Sequence, residues 1–347
     1  MNYRTGDQPS ANQIVVIGAS SGGLDAVREV AGGLPHEFAA PICVVIHTSA
    51  DSPGVIPQIV GRATSMVTVG LRRAEKLERG KMYFAPPDCH LIVEPGRVRA
   101  TKGPKENRFR PAIDPLFRTA AQAFGPGAIG VILTGNLDDG TAGLAAIKRL
   151  GGRAIVQDPR DALFPGMPQS AMAHVAVDYC VPLEQIAPLL VDLTERPVTA
   201  APPIPFPREL ETEVRIAKQE NPIEAGLEHI GKPSRFACPD CHGVLLQIAD
   251  DDRVRFRCHT GHGFSIDSLL AAYSDQAEGS LWTAIRSLEE AALFLDVLTK
   301  QAKLSSTAGD ASHLAHRAAE ARKDSEALRE IVSRRGPLVT AAEADEQ

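Results

Sequence analysis

The sequence predicts an α/β fold: a parallel-sheet layered domain in the first half, then a small Cys/His segment and a C-terminal α-helical hairpin. Three observations carry this. Between residues 12 and 193, apolar runs of strand length alternate with stretches of helical character. Several runs, such as PICVVI at 41–46 and AIGVIL at 128–133, are apolar without alternation, as strands buried on both faces of a parallel sheet are. Beyond residue 195 the composition changes, first to proline, then to clustered Cys and His, then to apolar residues at spacings of three and four.

Strands are expected at Ile14–Ile17, Ile42–Ile46, Met82–Ala85, Leu91–Val93, Ile129–Leu133, Ala154–Gln157 and Tyr179–Val181. Helices are expected at 22–31, 112–124, 141–150 and 183–194. Met82 to Arg99, with a turn at Glu94-Pro95-Gly96, reads as an inserted hairpin. Seven prolines between 197 and 233 mark residues 194–235 as a linker with room for one short helix near 209–219. From 266 to 335, Leu281, Ile285, Leu288, Ala292 and Leu295 form one seam. Leu314, Ala318, Ala321, Ser325, Leu328 and Val332 form a second, after a Ser/Gly break at 305–309. Two such helices fit an antiparallel hairpin, either covering the rest of the chain or binding a partner or a second copy. The acidic tail, 336–347, is expected to be disordered.

With 347 residues the chain is long enough for two or three domains, and its net charge of −6 carries no cluster of Lys and Arg. Nucleic acid is therefore not an expected partner. No apolar run reaches the roughly 18 residues of a membrane span, and the polar N-terminus does not read as a signal peptide, so a cytoplasmic protein without membrane insertion is expected.

The first strand runs into Gly18-Ala19-Ser20-Ser21-Gly22-Gly23. A dinucleotide turn would need a carboxylate ending the next strand, where His47 stands, and a P-loop would need a Lys that the turn lacks. Gly18 to Gly22 does match G-x-S-x-G, the elbow that exposes a serine at a helix N-terminus. Serine needs a base, and the base needs a carboxylate. His47 follows the second strand and Asp138-Asp139 follow AIGVILTGN, so three parallel strands would deliver Ser, His and Asp to one sheet edge. For Asp139 alone, capping of the helix starting at Gly140 is the competing role.

The segments IVVIGASSGG, VVIH, YFAPPDCHL, RPAID, GVILTGNLDDGTAG and FPGMPQSA together resemble the catalytic domain of CheB-type chemotaxis methylesterases, over roughly residues 12–193. The resemblance implies Ser20 as nucleophile, His47 as general base and Asp139, directly before the glycine, as orienting acid, with no cofactor for catalysis. Backbone N–H groups at Ser21 and Asn136 would form the oxyanion site. The implied reaction is hydrolysis of glutamate γ-methyl esters on methylated chemoreceptor-like signalling proteins, with glutamine deamidation in some members. A signalling kinase or methyltransferase is a further implied partner. Only about a dozen residues stand where the familiar member carries a receiver domain, so a receiver-less form is expected. The family's Met-Gly-Asn is Asn136-Leu137-Asp138 here, which puts leucine where the family has glycine, and its His-Met-Pro is His47-Thr48-Ser49.

In residues 236–265, Cys238-x2-Cys241 and Cys258-x3-His262 are separated by sixteen residues. This is ligand spacing for a structural zinc, and the segment reads as a zinc-ribbon-like unit with VLLQIA and RVRFRC as its hairpin. His259 and His242 are alternatives to His262, and a redox Cys-x-x-Cys is the competing chemistry. The segment resembles extensions behind receiver-less CheB-like domains. The sequence thus supports an esterase or, alternatively, a non-catalytic scaffold binding receptors or kinases through its C-terminal region. The esterase domain is expected to be independent of the metal and to survive truncation near Pro202.

Overall fold

In this computed structural model the described residues are 12–198, 204–250, 253–304 and 308–334, so the acidic tail lies outside them. The first half contains β1 (Ile14–Ala19), α1 (Gly23–Gly32), β2 (Ile42–Ile46), α2 (Ile56–Gly61), β3 (Val67–Gly70), β4 (Glu75–Lys76), β5 (Lys81–Phe84), β6 (His90–Glu94) and β7 (Arg97–Thr101). It continues with α3 (Ile113–Phe124), β8 (Ala128–Ile132), α4 (Thr141–Arg149), β9 (Arg153–Gln157), α5 (Gly166–His174), β10 (Tyr179–Val181) and α6 (Leu183–Glu195). The remainder holds α7 (Arg208–Ala217), α8 (Leu227–Ile230), β11 (Gly231–Ala237), β12 (Val244–Asp250), β13 (Arg253–Cys258), β14 (Gly263–Ser265), α9 (Ile266–Leu304) and α10 (Ala308–Arg334).

Seven parallel strands form the main sheet in the order β10-β9-β8-β1-β2-β5-β3. Every residue of β1, β2 and β8 is buried, as their unbroken apolar sequences require. One face of β1, with Ile14 and Val16, packs on Ile113, Phe117 and Leu144 of α3 and α4. The other, with Val15 and Ile17, packs on Val27, Ile186 and Leu190 of α1 and α6. The chain runs outward from β1 through β2, then returns on the far side of β1 as β8. That reversal makes a crevice at the carboxyl ends of β1, β2 and β8, where open α/β sheets place their sites.

Two sequence expectations need revision. Met82 belongs to β5, an interior strand paired with β2 and β3, because its Met82-Tyr83-Phe84 run is buried on both faces. Only β6 and β7 form the hairpin, in a separate three-stranded sheet with β4. The proline-rich stretch is packed rather than a free linker: the short helix expected near 209–219 is α7, whose Leu210, Val214 and Ile216 are buried. Proline stops at the ends of this helix rather than inside it, and its apolar residues keep helical spacing. The described residues up to Ser268 form one compact unit, and those after it form a second.

In the second unit, Ile285, Ala292, Ala318 and Ser325 are buried. Glu289 of α9 accepts hydrogen bonds from Ser325 and Arg329 of α10 at 3.1 and 2.6 Å, and Asp296 pairs with Arg322. Partners advance along one helix as they retreat along the other, so the hairpin is antiparallel. No described helix is long and apolar enough to cross a membrane.

Candidate active site

Ser20 stands one residue past β1, on a turn that leaves no room for larger neighbours. Gly22 has φ 72°, and a Cβ on Gly18 would lie 2.4 Å from Ile113 Cγ2. The Ser20 N–H donates to the Thr134 carbonyl at 3.0 Å, which ties the turn to the end of β8. Thr134 Oγ1–H donates to the Ser21 carbonyl at 3.0 Å.

His47 follows β2, its N–H bonded to the Ala19 carbonyl at 3.1 Å. Its Nδ1 lies 3.0 Å from Ser20 Oγ and its Nε2 lies 2.7 Å from Asp139 Oδ2. Nε2–H donates to the carboxylate, which leaves the Nδ1 lone pair facing the serine hydroxyl. Phe109 stacks on the imidazole with ring centroids 3.7 Å apart and planes at 9°.

Asp139 is fully enclosed, with four donors on its two oxygens. Oδ2 accepts from His47 and from the Ile113 N–H at 2.7 Å. Oδ1 accepts from Asn107 Nδ2 at 2.8 Å and from the Asp114 N–H at 3.3 Å. The two backbone donors open α3, so the helix N-terminus faces the carboxylate. Burial alone would raise the Asp139 pKa, but the His47 hydrogen bond and charge, with Ile113 and Asn107, hold it below the usual carboxylate range. The structure therefore brings together the Ser, His and Asp that the sequence placed on one edge.

Ser21 and Asn136 are also adjacent, with Asn136 Nδ2 donating to Ser21 Oγ at 3.2 Å. A Cβ on Gly135 would lie 2.8 Å from Ser20 Cβ, so this loop's backbone closes on the serine. Leu137 has φ 61°, in the left-handed region. That is the backbone a glycine would take without strain, and it accounts for glycine at this place in the family pattern. The serine and histidine open into a cleft of about 480 Å³, also lined by Thr48, Lys105, Arg108 and Arg110.

Sequence reasoning missed Asn107, Phe109 and their loop. They sit between elements, and their neighbours in space are remote in sequence. RPAID, which begins directly after Phe109, marked the loop's end without revealing its role.

The four expected metal ligands also converge. The ligand atoms of Cys238, Cys241, Cys258 and His262 all lie within 4.8 Å of one another. His262 Nδ1 is 3.7 Å from Cys238 Sγ and 3.5 Å from Cys258 Sγ, and the Cys241 and Cys258 sulfurs are 3.6 Å apart. These separations match the edges of a tetrahedron around one ion with bonds of about 2.0–2.3 Å. His242 and His259 are exposed and outside the group. All six cysteines are free thiols.

A family model described as CheB methylesterase matches residues 15–190. A Leptospira interrogans protein named putative protein-glutamate methylesterase/protein-glutamine glutaminase is 39% identical over 184 residues, 53% of this chain and 95% of that protein. A Pyrococcus horikoshii protein-glutamate methylesterase/protein-glutamine glutaminase is 37% identical over 52% of this chain and 50% of its own length. The protein-glutamate methylesterase FrzG of Myxococcus xanthus is 35% identical over 54% of this chain and 57% of its own. The crystal structure of the Thermotoga maritima CheB methylesterase catalytic domain is similar with a TM-score of 0.50 and 33% identity, covering 52% of this chain and 98% of that one. With half its length under the family model and a hydrogen-bonded Ser-His-Asp chain at the switch of a seven-stranded parallel sheet, the chain belongs to the CheB methylesterase family.

Proposed function

We propose that this protein is a protein-glutamate O-methylesterase acting on methylated chemoreceptor-like signalling proteins, with glutamine deamidation at the same site. The carrying observation is the unbroken hydrogen-bond chain from Ser20 through His47 to Asp139, opening into a cleft. Ser20 Oγ attacks the ester carbonyl as His47 Nδ1 takes its proton. Asp139 stabilises the imidazolium from Nε2. His47 then gives the proton to the departing methoxide, and methanol leaves an acyl-serine. Water, deprotonated by His47, attacks the acyl-serine and releases the glutamate. For glutamine the leaving group is ammonia. The backbone N–H groups of Ser21 and Asn136 are the proposed oxyanion donors, supported by the close approach of Gly135 to Ser20.

Ser20→Ala and His47→Ala are expected to lower methanol release by roughly 10⁴-fold or more, and Asp139→Asn by about 10³–10⁴-fold, with the fold retained. Methylated receptor and a serine-directed phosphonate are the probes. Wild-type turnover in Ser20→Ala would reject the mechanism. A wild-type protein that neither turns over nor labels would favour the alternative, a scaffold binding receptors, a kinase or a methyltransferase.

Cys238, Cys241, Cys258 and His262 are the proposed ligands of one structural zinc, supported by their mutual distances. Three thiolates and one imidazole fill a tetrahedron and leave no place for substrate, so the ion would supply folding free energy rather than chemistry.

A further inference from the structure

The loop from Lys105 to Phe109 performs three tasks at the active site. Phe109 covers the His47 ring, Asn107 donates to Asp139, and Lys105 and Arg108 line the cleft. Three of the four donors on Asp139 come from rigid elements: His47 at the end of β2, and Ile113 and Asp114 in the first turn of α3. The fourth, Asn107, comes from this loop, whose backbone is unusual. Asn107 and Arg108 have φ values of 49° and 75°, two successive left-handed residues without a glycine. Such a conformation persists only where its surroundings hold it.

What holds it is the Cys/His segment. The Asn107 N–H donates to the Gly263 carbonyl at 2.8 Å, and the Gly263 N–H donates to the Lys105 carbonyl at 3.1 Å, so the loop pairs with β14 as a short extra strand. Asn107 Oδ1 accepts from the Ser265 N–H at 3.0 Å and from Ser268 Oγ–H at 3.2 Å. With its oxygen fixed by these two donors, the amide has its nitrogen aimed at Asp139 and at Asp114 Oδ2, 3.0 Å away. Next to it, Glu106 pairs with Arg118 of α3 and, at 3.1 Å, with Arg257 of β13. Glu213 of α7 closes this buried network, binding Arg255 through both carboxylate oxygens at 2.6 and 2.7 Å and Arg257 at 3.0 Å.

The strands that grip the loop carry the metal-ligand group. β13 ends in Cys258, and His262 directly precedes β14. The Cys258 N–H bonds to the His262 carbonyl at 3.0 Å across the turn that joins them. An ion drawing Cys258 and His262 to Cys238 and Cys241 would therefore fix the strand that presents Gly263 and Ser265 to the loop.

We propose that Asn107 is a positioning residue for the triad, and that the Cys/His segment is an intramolecular clamp holding it, so that ion occupancy at Cys238, Cys241, Cys258 and His262 sets esterase turnover. The inference rests on the esterase reading and replaces the sequence expectation of metal independence. Asn107 does not line the cleft, so its own loss is read in kcat, whereas the clamp also holds Lys105, which does line it, so metal removal is expected to move KM as well.

The test uses the full chain as wild type, as Asn107→Ala, Asn107→Asp, Ser268→Ala and Cys238→Ser, and as wild type stripped of metal. It measures kcat and KM on methylated receptor, phosphonate labelling of Ser20, and amide hydrogen exchange of residues 105–109. Asn107→Ala is expected to lower kcat by about 10- to 100-fold with KM within about 2-fold, as small misplacements of catalytic groups do. Asn107→Asp, which keeps shape but loses the donor, should lose at least as much. Ser268→Ala should show a smaller loss of the same kind. Metal removal and Cys238→Ser should speed exchange at 105–109, slow labelling of Ser20 and lower kcat together, with β1, β2 and β8 still protected. Wild-type kcat in Asn107→Asp, or unchanged exchange at 105–109 after metal removal, overturns the proposal. Failure of the wild type to label at Ser20 would instead reject the esterase reading, and the exchange measurements would still decide whether the clamp exists.

Discussion

Asp138 and Asp139 are adjacent in sequence and opposite in proton affinity. Asp139 has four donors and the His47 imidazole, and its pKa lies below the usual carboxylate range despite burial. Asp138 is pushed up to about 7, because burial and the charges of Asp267 and Asp139 outweigh the 2.7 Å hydrogen bond from Ser265. A carboxyl whose folded pKa exceeds its unfolded value binds its proton more tightly in the fold. Its contribution is complete below the unfolded value of about 3.9 and is lost as pH rises through 7. Wild-type stability should therefore decline between about pH 4 and 7, by at most about 1.3 kcal/mol per pH unit from this group. Asp138→Asn keeps an oxygen for Ser265 and removes the titration, so its denaturation midpoint should fall less over that range. Parallel pH profiles for the two proteins would refute this origin of the slope.

At the scale of elements, β12, β13 and β14 form a small antiparallel sheet with β11 on a small core: Leu245, Leu246, Ile248, Phe256 and Phe264 are buried, with Leu246 and Ile248 on Ile216, Ala225 and Leu227. Units with so little core commonly depend on bound metal. The Cys258 thiol is pushed down, chiefly by the Cys238 hydrogen bond, with His262 and Cys241 adding to it, and the same bond pushes Cys238 up, so the two sulfurs share a proton. Thiolate character of this kind suits a divalent cation. About one zinc per chain is expected by metal analysis of protein purified without chelator, and Cys238→Ser should lose most of it. A wild type free of metal under those conditions would reject the site. The ligand spacing was legible because a knuckle is a local motif. The strands' grip on Lys105 and Asn107 was not, because their pairing with β14 joins residues more than 150 positions apart.

At the scale of the whole molecule, the proline-rich stretch after α6 is not a neutral place to cut. Removing everything beyond residue 198 would take away Glu213, Arg255 and Arg257, leaving Arg118 with Glu106 and Asp114 as partners, and would strip Leu210 from the main core. The truncated chain should melt several degrees below the full one, at about 2–4 °C for each kcal/mol lost, and turn over more slowly. Equal melting and turnover would show that the first half is self-sufficient. By itself the sequence determined what depends on local pattern: the unbroken apolar runs of a buried parallel sheet, the serine elbow between small residues, and the two Cys/His knuckles. It also put Ser20, His47 and Asp139 at one edge, since parallel strands must end on the same side. Only the tertiary structure decided that Met82 lies inside the main sheet and that Asn107 bridges the triad acid to Ser265. It alone buried Glu213 among three arginines. Those contacts arise from packing between distant segments, where free energy depends on which groups are excluded from water together, and no periodicity along the chain records that.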